Sequence, residues 1–233
     1  MAAPAWMRHA TASLHYVEGM APHRLAVATL VALTRESPSR AGVLRHVSAY
    51  GVEAVLPVLV LGLMVGGVGV ARASGVLSAV GGQQIAQDLL VLLVRDAGPL
   101  LAALLVLVRS GASVAIDARA AEGEAGPVAL ERIIGLQLSV LSLYVFLSIA
   151  ALLGGTIGAV VTLGAPIELP GASLDISGLA MAALRCVSFA TVIGLFSCGE
   201  GLTERPTTVV ARRTTLASGG ACLLLEACFG VLA

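Results

Sequence analysis

Lysine is absent from this chain; all fourteen basic residues are arginine. Without lysine there is no P-loop lysine to reach a nucleotide phosphate and no amine for a Schiff base, so the chain runs neither chemistry in its usual form. Any energy it uses comes from a partner or an ion gradient. Charge of either sign is scarce: 12% of residues are charged, against about 25% in ordinary soluble domains. Aromatic residues make up only 3%, which argues against a membrane barrel with its aromatic girdles. What is abundant is alanine, valine, leucine and glycine. The chain is 58% hydrophobic with a mean hydropathy of +0.96, the composition of an all-α integral membrane protein whose helices meet through small residues.

Other absences narrow the function further. Net charge is zero and no basic run is interleaved with aromatics, so there is no electrostatic footprint for nucleic acid. The four histidines, His9, His15, His23 and His46, precede the first expected crossing without metal-ligand spacing, and no metal site is expected. Cys186, Cys198, Cys222 and Cys228 lack CxxC spacing and read as small apolar packing residues. No GxSxG or other nucleophile-and-base arrangement is present, so no catalytic residue and no cofactor is assigned to the chain itself.

Residues 1–38 form an arm of short apolar runs broken by histidine, arginine and glutamate, with no cleavable signal-peptide pattern; residues 39–233 form the membrane domain. SRAGVLRHVSAYG, from Ser39, sets Val43, Leu44 and Val47 on one helical face and Arg40, Arg45 and His46 on another. This pattern predicts a helix lying in the membrane interface, with a soluble helix as the alternative. Five crossings are predicted at about Val52–Ala71, Ile85–Val108, Ile133–Leu163, Leu179–Cys198 and Val209–Leu232. The third is long enough for a pre-membrane turn or a strong tilt. Arginines concentrate in the arm, between the second and third segments (Arg109, Arg119, Arg132) and between the fourth and fifth (Arg205, Arg212, Arg213), whereas GAPIELPGASLDISG has two acids and no base. The positive-inside rule then predicts a cytoplasmic N-terminus and a C-terminus on the opposite side. Gly62 with Gly66 and Gly154 with Gly158 form two GxxxG pairs, suited to intramolecular packing or to a subunit interface.

The second segment carries the unusual chemistry. LVRDAGPLLAALLVLVRSGAS, from Leu93, places Arg95 and Asp96 about ten residues inside the membrane segment, with Pro99 just beyond. An unpaired charge there costs roughly 2.5–3.5 kcal/mol on insertion scales. Pro99 removes the hydrogen bond to the Arg95 carbonyl and is expected to kink the helix. Few ionisable groups are available as partners: Glu226 in the last segment, Asp88 near one end of the second, and Glu53 and Arg185, read as nearer helix ends. A pair between Arg95 and Glu226 is the expectation. Two roles fit such a pair: a buried ion pair that fixes helix packing, or polar groups lining a cavity for a charged headgroup or ion.

The stretch LLVLLVRDAGPLLAALLVLVRSGAS resembles the hallmark region of the MlaE/YrbE permease family, with Asp96 where the family usually has glutamate and Arg109, Ser110 and Gly111 matching its Arg-Ser/Ala-Gly turn. GLMVGGVGVARASGVLSAVGG is similar to the family's glycine-rich first helix, and VVARRTTLASGGACLLLEACFGVL to its closing helix. The resemblance covers roughly Ser39 to the C-terminus with one gap. It implies an interfacial helix plus five membrane helices, and a permease subunit of an ABC transporter moving phospholipid or another hydrophobic substrate. The implied partners are a second permease copy, an ABC ATPase holding ATP and magnesium, and an MCE-domain substrate-binding protein, at an inner membrane with the C-terminus periplasmic. The departure is ASVAIDARAAEGEAGPVALER, about a dozen residues shorter than the family's ATPase-docking helix. Asp117 stands near the family's first glutamate, Glu122, Glu124 and Glu131 keep the region acidic, and a shorter helix over Ala115–Glu124, stopped by Gly126-Pro127, is expected. The resemblance therefore assigns coupling to residues from Arg109 to Glu131. A non-transporting scaffold or degenerate partner permease stays open beside it. An ion-coupled secondary transporter, which predicts inverted repeats with broken helices at matching positions, fits five crossings with one proline-kinked helix poorly.

Overall fold

The computed structural model describes residues 27, 38–77, 82–120, 125–164, 176–201 and 206–232. The described residues are helical apart from short connections: α1 (Arg40–Tyr50), a 3-10 turn (Val52–Ala54), α2 (Val55–Leu77), α3 (Gly82–Leu92), a π-helical turn (Leu93–Ala97), α4 (Gly98–Ala120), α5 (Ala125–Leu163), α6 (Ile176–Gly201) and α7 (Thr207–Leu232). Among the described residues, five helical spans are long and apolar enough to cross a membrane: Arg40–Ser74, Gln87–Ala118, Ala129–Thr162, Ile176–Gly201 and Thr207–Val231. Each contains one of the five segments expected from the sequence or most of it. Helix is the form available to such β-branched, glycine-rich runs because in hydrocarbon every backbone group must be satisfied within the segment.

Short polar side chains obey the same demand. The hydroxyls of Ser139, Ser142, Ser148, Thr156 and Thr162 in α5 each donate to the carbonyl four residues earlier, so they add no unsatisfied donor to the span. Gln137 of α5 reaches across to α6, its Nε2 donating to Thr191 Oγ1 at 2.8 Å.

The two GxxxG pairs face each other. A Cβ on Gly66 would run into the backbone carbonyl of Ala151, one on Gly154 into that of Leu63, and one on Gly158 into that of Gly67. Gly62 sits likewise against Ala150 and the Leu147 carbonyl. The glycines thus bring α2 and α5 into backbone contact, and of the two uses open to them they serve packing within the chain. α6 packs in the centre of the main core: Ala182, Cys186, Phe189, Ala190 and Ile193 are enclosed there with Val106, Leu107, Leu136 and Leu143. A smaller cluster of Val70, Leu90 and Ala159 ties α2, α3 and α5 together. Cys186, Cys198 and Cys222 are buried free thiols, while Cys228 is exposed.

α1 docks on the base of α5. Ser39 caps α1, its side chain accepting from the Gly42 N–H, while its own N–H donates to Glu131 Oε1 at 2.9 Å. Gly135 lets α5 pass close to the Cβ of His46, and His46 stacks on Tyr50.

Three local expectations are corrected. Arg109-Ser110-Gly111 makes no turn, because α4 runs unbroken from Gly98 to Ala120. Gly126-Pro127 does not stop a helix but lies in the first turn of α5, where proline's missing N–H would have had no intrahelical partner anyway. With 39 residues, α5 is about 58 Å long at 1.5 Å per residue, well beyond the roughly 30 Å hydrocarbon core, so its first turns extend to α1. Arg132, expected in a loop, is consequently buried in α5.

Candidate functional site: a membrane-embedded charge cluster

The helix breaks its regular pattern where the charges are. Leu93–Ala97 form a π turn closed by the Gly98 N–H donating to the Leu93 carbonyl. One extra residue is accommodated there, a feature that often re-aims side chains at functional sites. The expected disturbance near Pro99 therefore takes the form of a widened turn immediately upstream.

The π turn holds Asp96 toward α6 and Arg95 beside it. Asp96 Oδ1 accepts from Arg185 Nη1 at 2.9 Å and lies 3.6 Å from Arg95 Nε. The same Arg185 Nη1 is 3.3 Å from Glu226 Oε1 in α7. Arg185 is 3% exposed and lies within the Ile176–Gly201 span. Its guanidinium carbon stands 5.5 Å over the Phe229 ring, and Phe229 meets Phe189 edge to face. A cation over an aromatic face gains most when it is desolvated. Gly178 at the start of α6 passes against the aliphatic stem of Arg95.

Two arginines and two carboxylates thus balance to zero formal charge across the π turn, α6 and α7. The expected Arg95–Glu226 pair is not the one formed: Glu226 pairs with Arg185, and Arg95 pairs with its neighbour Asp96. Arg185, read from the sequence as lying near a helix end, is the hub. Its depth within an apolar run was the available signal; no motif marks it. Arg185 Nε and Glu226 Oε2 are buried without a hydrogen-bond partner, leaving one donor and one acceptor in the cluster for a polar group. Beside the π turn, a small cavity of about 10 Å³ lies between α2, α4 and α5, lined by Gly62, Leu93, Gly98 and Ser148 among others; that is room for about one water molecule.

The residues assigned to coupling separate into two groups. Arg109 Nη2 is 3.1 Å from Glu53 Oε2, with both side chains substantially exposed. Asp117 Oδ2 accepts from the Tyr50 hydroxyl at 3.3 Å, its backbone carbonyl accepts from Arg132 Nη2, and Glu131 holds Ser39. These contacts fasten α1, α4 and the base of α5 to one another. Ser110 and Gly111 are buried instead, Gly111 facing Thr214 of α7. Glu122 and Glu124 lie outside the described residues.

No curated protein matches this chain. Residues 43–118 match the family model described as Permease MlaE. The matched stretch begins inside α1 and ends two residues before the end of α4, taking in the GxxxG pair of α2, the Arg-Asp π turn and Arg109; α5, α6 and α7 lie beyond it. Over residues 43–118, therefore, this multi-pass membrane protein is similar to the family described as Permease MlaE.

Proposed function

We propose that this chain is the membrane subunit of an ABC-type transporter that moves phospholipid or another hydrophobic substrate, driven by a separate ATPase. The observation that carries the reading is the Asp96–Arg185–Glu226 cluster, built on a π turn inside the stretch matching Permease MlaE. In this reading two copies of the chain enclose the substrate. Its acyl chains lie against the exposed apolar faces of α2 and α7, which include Val60, Met64, Leu223 and Leu224, and its headgroup meets the unpaired atoms of the cluster. Opening and closing of the space between copies follow the ATPase cycle, which reaches the helices through the α1–α4–α5 base. A ligand moves such an equilibrium only by the difference in its contacts with the two states. The α1 end faces the cytoplasm of an inner membrane, and an MCE-domain protein receives or delivers substrate on the other side.

A second reading, a partner permease that has lost its motor contact, draws on the short junction between α4 and α5: only residues 121–124 separate Ala120 from Ala125. Affinity purification from native membranes in mild detergent, with mass spectrometry of proteins and lipids, separates the two. Recovery of a nucleotide-binding subunit in equal copy number with retained phospholipid is the expected result. Recovery of a second, different permease and an MCE-type protein, with no ATPase bound to this chain, would overturn the first reading in favour of the second.

A further inference from the structure

The charge cluster lies toward one end of the bundle, and a different apolar feature lies toward the other. Between α2 and α4 runs an open groove of about 370 Å³, lined by Pro57, Leu61, Leu101, Leu104, Leu105 and Val108, and ending at Arg109. From Leu101 to Arg109 the groove extends about 12 Å along α4 at 1.5 Å per residue, close to half of the roughly 30 Å hydrocarbon core. It has the depth of a single leaflet. Arg109 lies about 21 Å along the helix from Arg95 by the same rise. It meets Glu53, in the turn that directly follows the expected interfacial helix α1. With α1 in the interface, as its sequence leads us to expect, the cationic end of the groove would lie at headgroup level in the leaflet on the α1 side.

We propose that this groove holds one acyl chain of a phosphate-bearing lipid from that leaflet, with the phosphate on Arg109. The site is distinct from the Asp96–Arg185–Glu226 cluster, and its occupant would brace α2 against α4. The charge complementarity is direct: the planar guanidinium offers paired N–H donors suited to phosphate oxygens. Its present partner, Glu53, is an exposed carboxylate whose hold on Arg109 is weak. Glu53 then acts as a competitor for the same guanidinium. The proposal rests on the membrane-protein reading but requires no ATPase, no MCE-domain protein and no transport.

The test uses the full chain reconstituted alone in phosphatidylcholine vesicles containing a trace of phosphatidylglycerol with a photoactivatable group on one acyl chain. Photoactivatable diacylglycerol, which lacks the phosphate, serves as the comparison. Expected are cross-links concentrated on Pro57–Leu61 and Leu101–Val108, with phosphatidylglycerol favoured over diacylglycerol. Arg109→Gln should lower the phosphatidylglycerol signal about fivefold, the order expected for losing a charge-assisted contact at an exposed site, and leave diacylglycerol unchanged. Glu53→Gln should raise it. Leu104→Trp, which fills the groove, should abolish both signals while the protein keeps its monodisperse elution. Equal labelling of the groove and of the open face of α5 at Leu138, Val145 and Ile149 would overturn the proposal, as would indifference to Arg109→Gln. Cross-linking of the groove to a second copy of the chain or to residues 1–37 in place of lipid would overturn it too. Failure of the permease reading would appear in the purification of partners and leave these cross-links unchanged, and so is distinguishable from failure here.

Discussion

Arg185 on α6 places a single guanidinium nitrogen 2.9 Å from Asp96 on the π turn and 3.3 Å from Glu226 on α7. One nearly inaccessible side chain therefore joins three membrane elements that are far apart in sequence. Its two carboxylate partners are each about one quarter exposed, so the cluster is dry on the arginine side and open on the acidic side. A polar group approaching it meets the carboxylates and Arg95 first.

Removing the hub should cost more than removing either partner. Arg185→Ala leaves two neighbouring carboxylates without their shared cation, and breaking a buried pair in this way typically costs about 3–5 kcal/mol. Asp96→Asn keeps a hydrogen-bond acceptor for Arg185 and leaves Glu226 in place, so its loss should be smaller. Thermal unfolding in detergent, followed by size-exclusion chromatography, checks the order: Arg185→Ala lowest, Asp96→Asn intermediate, unsubstituted protein highest.

The α2–α5 contact makes an independent prediction. Gly66→Ala and Gly154→Ala drive a methyl group into the carbonyls of Ala151 and Leu63. Neither backbone can yield without separating the helices, and overpacking of this kind costs about 1–3 kcal/mol. Gly220→Ala is the control, because nothing lies within 4 Å of the added carbon, and alanine is the better helix former by about 1 kcal/mol. The first two variants should melt below the unsubstituted protein and the third at or above it.

The spans and their glycine contacts were legible in the sequence because both are written locally. A span is a run of apolar residues, and a GxxxG pair shows its spacing within one helix. The charge cluster was only half legible. Arg95, Asp96 and Glu226 stood out as charges in apolar runs, but their pairing depends on how helices turn toward one another. The partners of Arg185 lie 89 and 41 residues away in sequence. The π turn added a rotation that no simple helical projection of Arg95 and Asp96 anticipates. Gly126-Pro127 is ambiguous for a different reason: the dipeptide suits both a helix end and a first turn, and only the burial of Ala129, Arg132 and Ile133 that follow decides between them.

Orientation is accessible to a direct experiment. An odd number of crossings puts the termini on opposite sides, and the arginine-rich α1 end is expected to be cytoplasmic. Alkaline phosphatase fused after Ala233 should then be active in a bacterial host, and a fluorescent protein fused there should be dark. The same reporters placed ahead of Ser39 should behave in the reverse manner. An active phosphatase at the N-terminal site would invert the arrangement and place the Arg109–Glu53 pair at the outer surface.

A combined substitution separates the two roles open to the charge cluster. Replacing a buried, mutually satisfied ion group by apolar side chains of similar size is often neutral or stabilising, whereas removing one member is not. Arg185→Met, Asp96→Leu and Glu226→Met together should therefore recover the folded yield that Arg185→Ala alone loses. Arg95, half-exposed, keeps a route to water by extending its side chain. If the cluster only fastens α6 and α7 to the π turn, lipid movement by the triple variant in reconstituted membranes should match that of the unsubstituted protein. The proposed function requires the opposite: a well-folded protein with the normal melting temperature and no movement of charged lipid, because the donor and acceptor that receive the headgroup are gone.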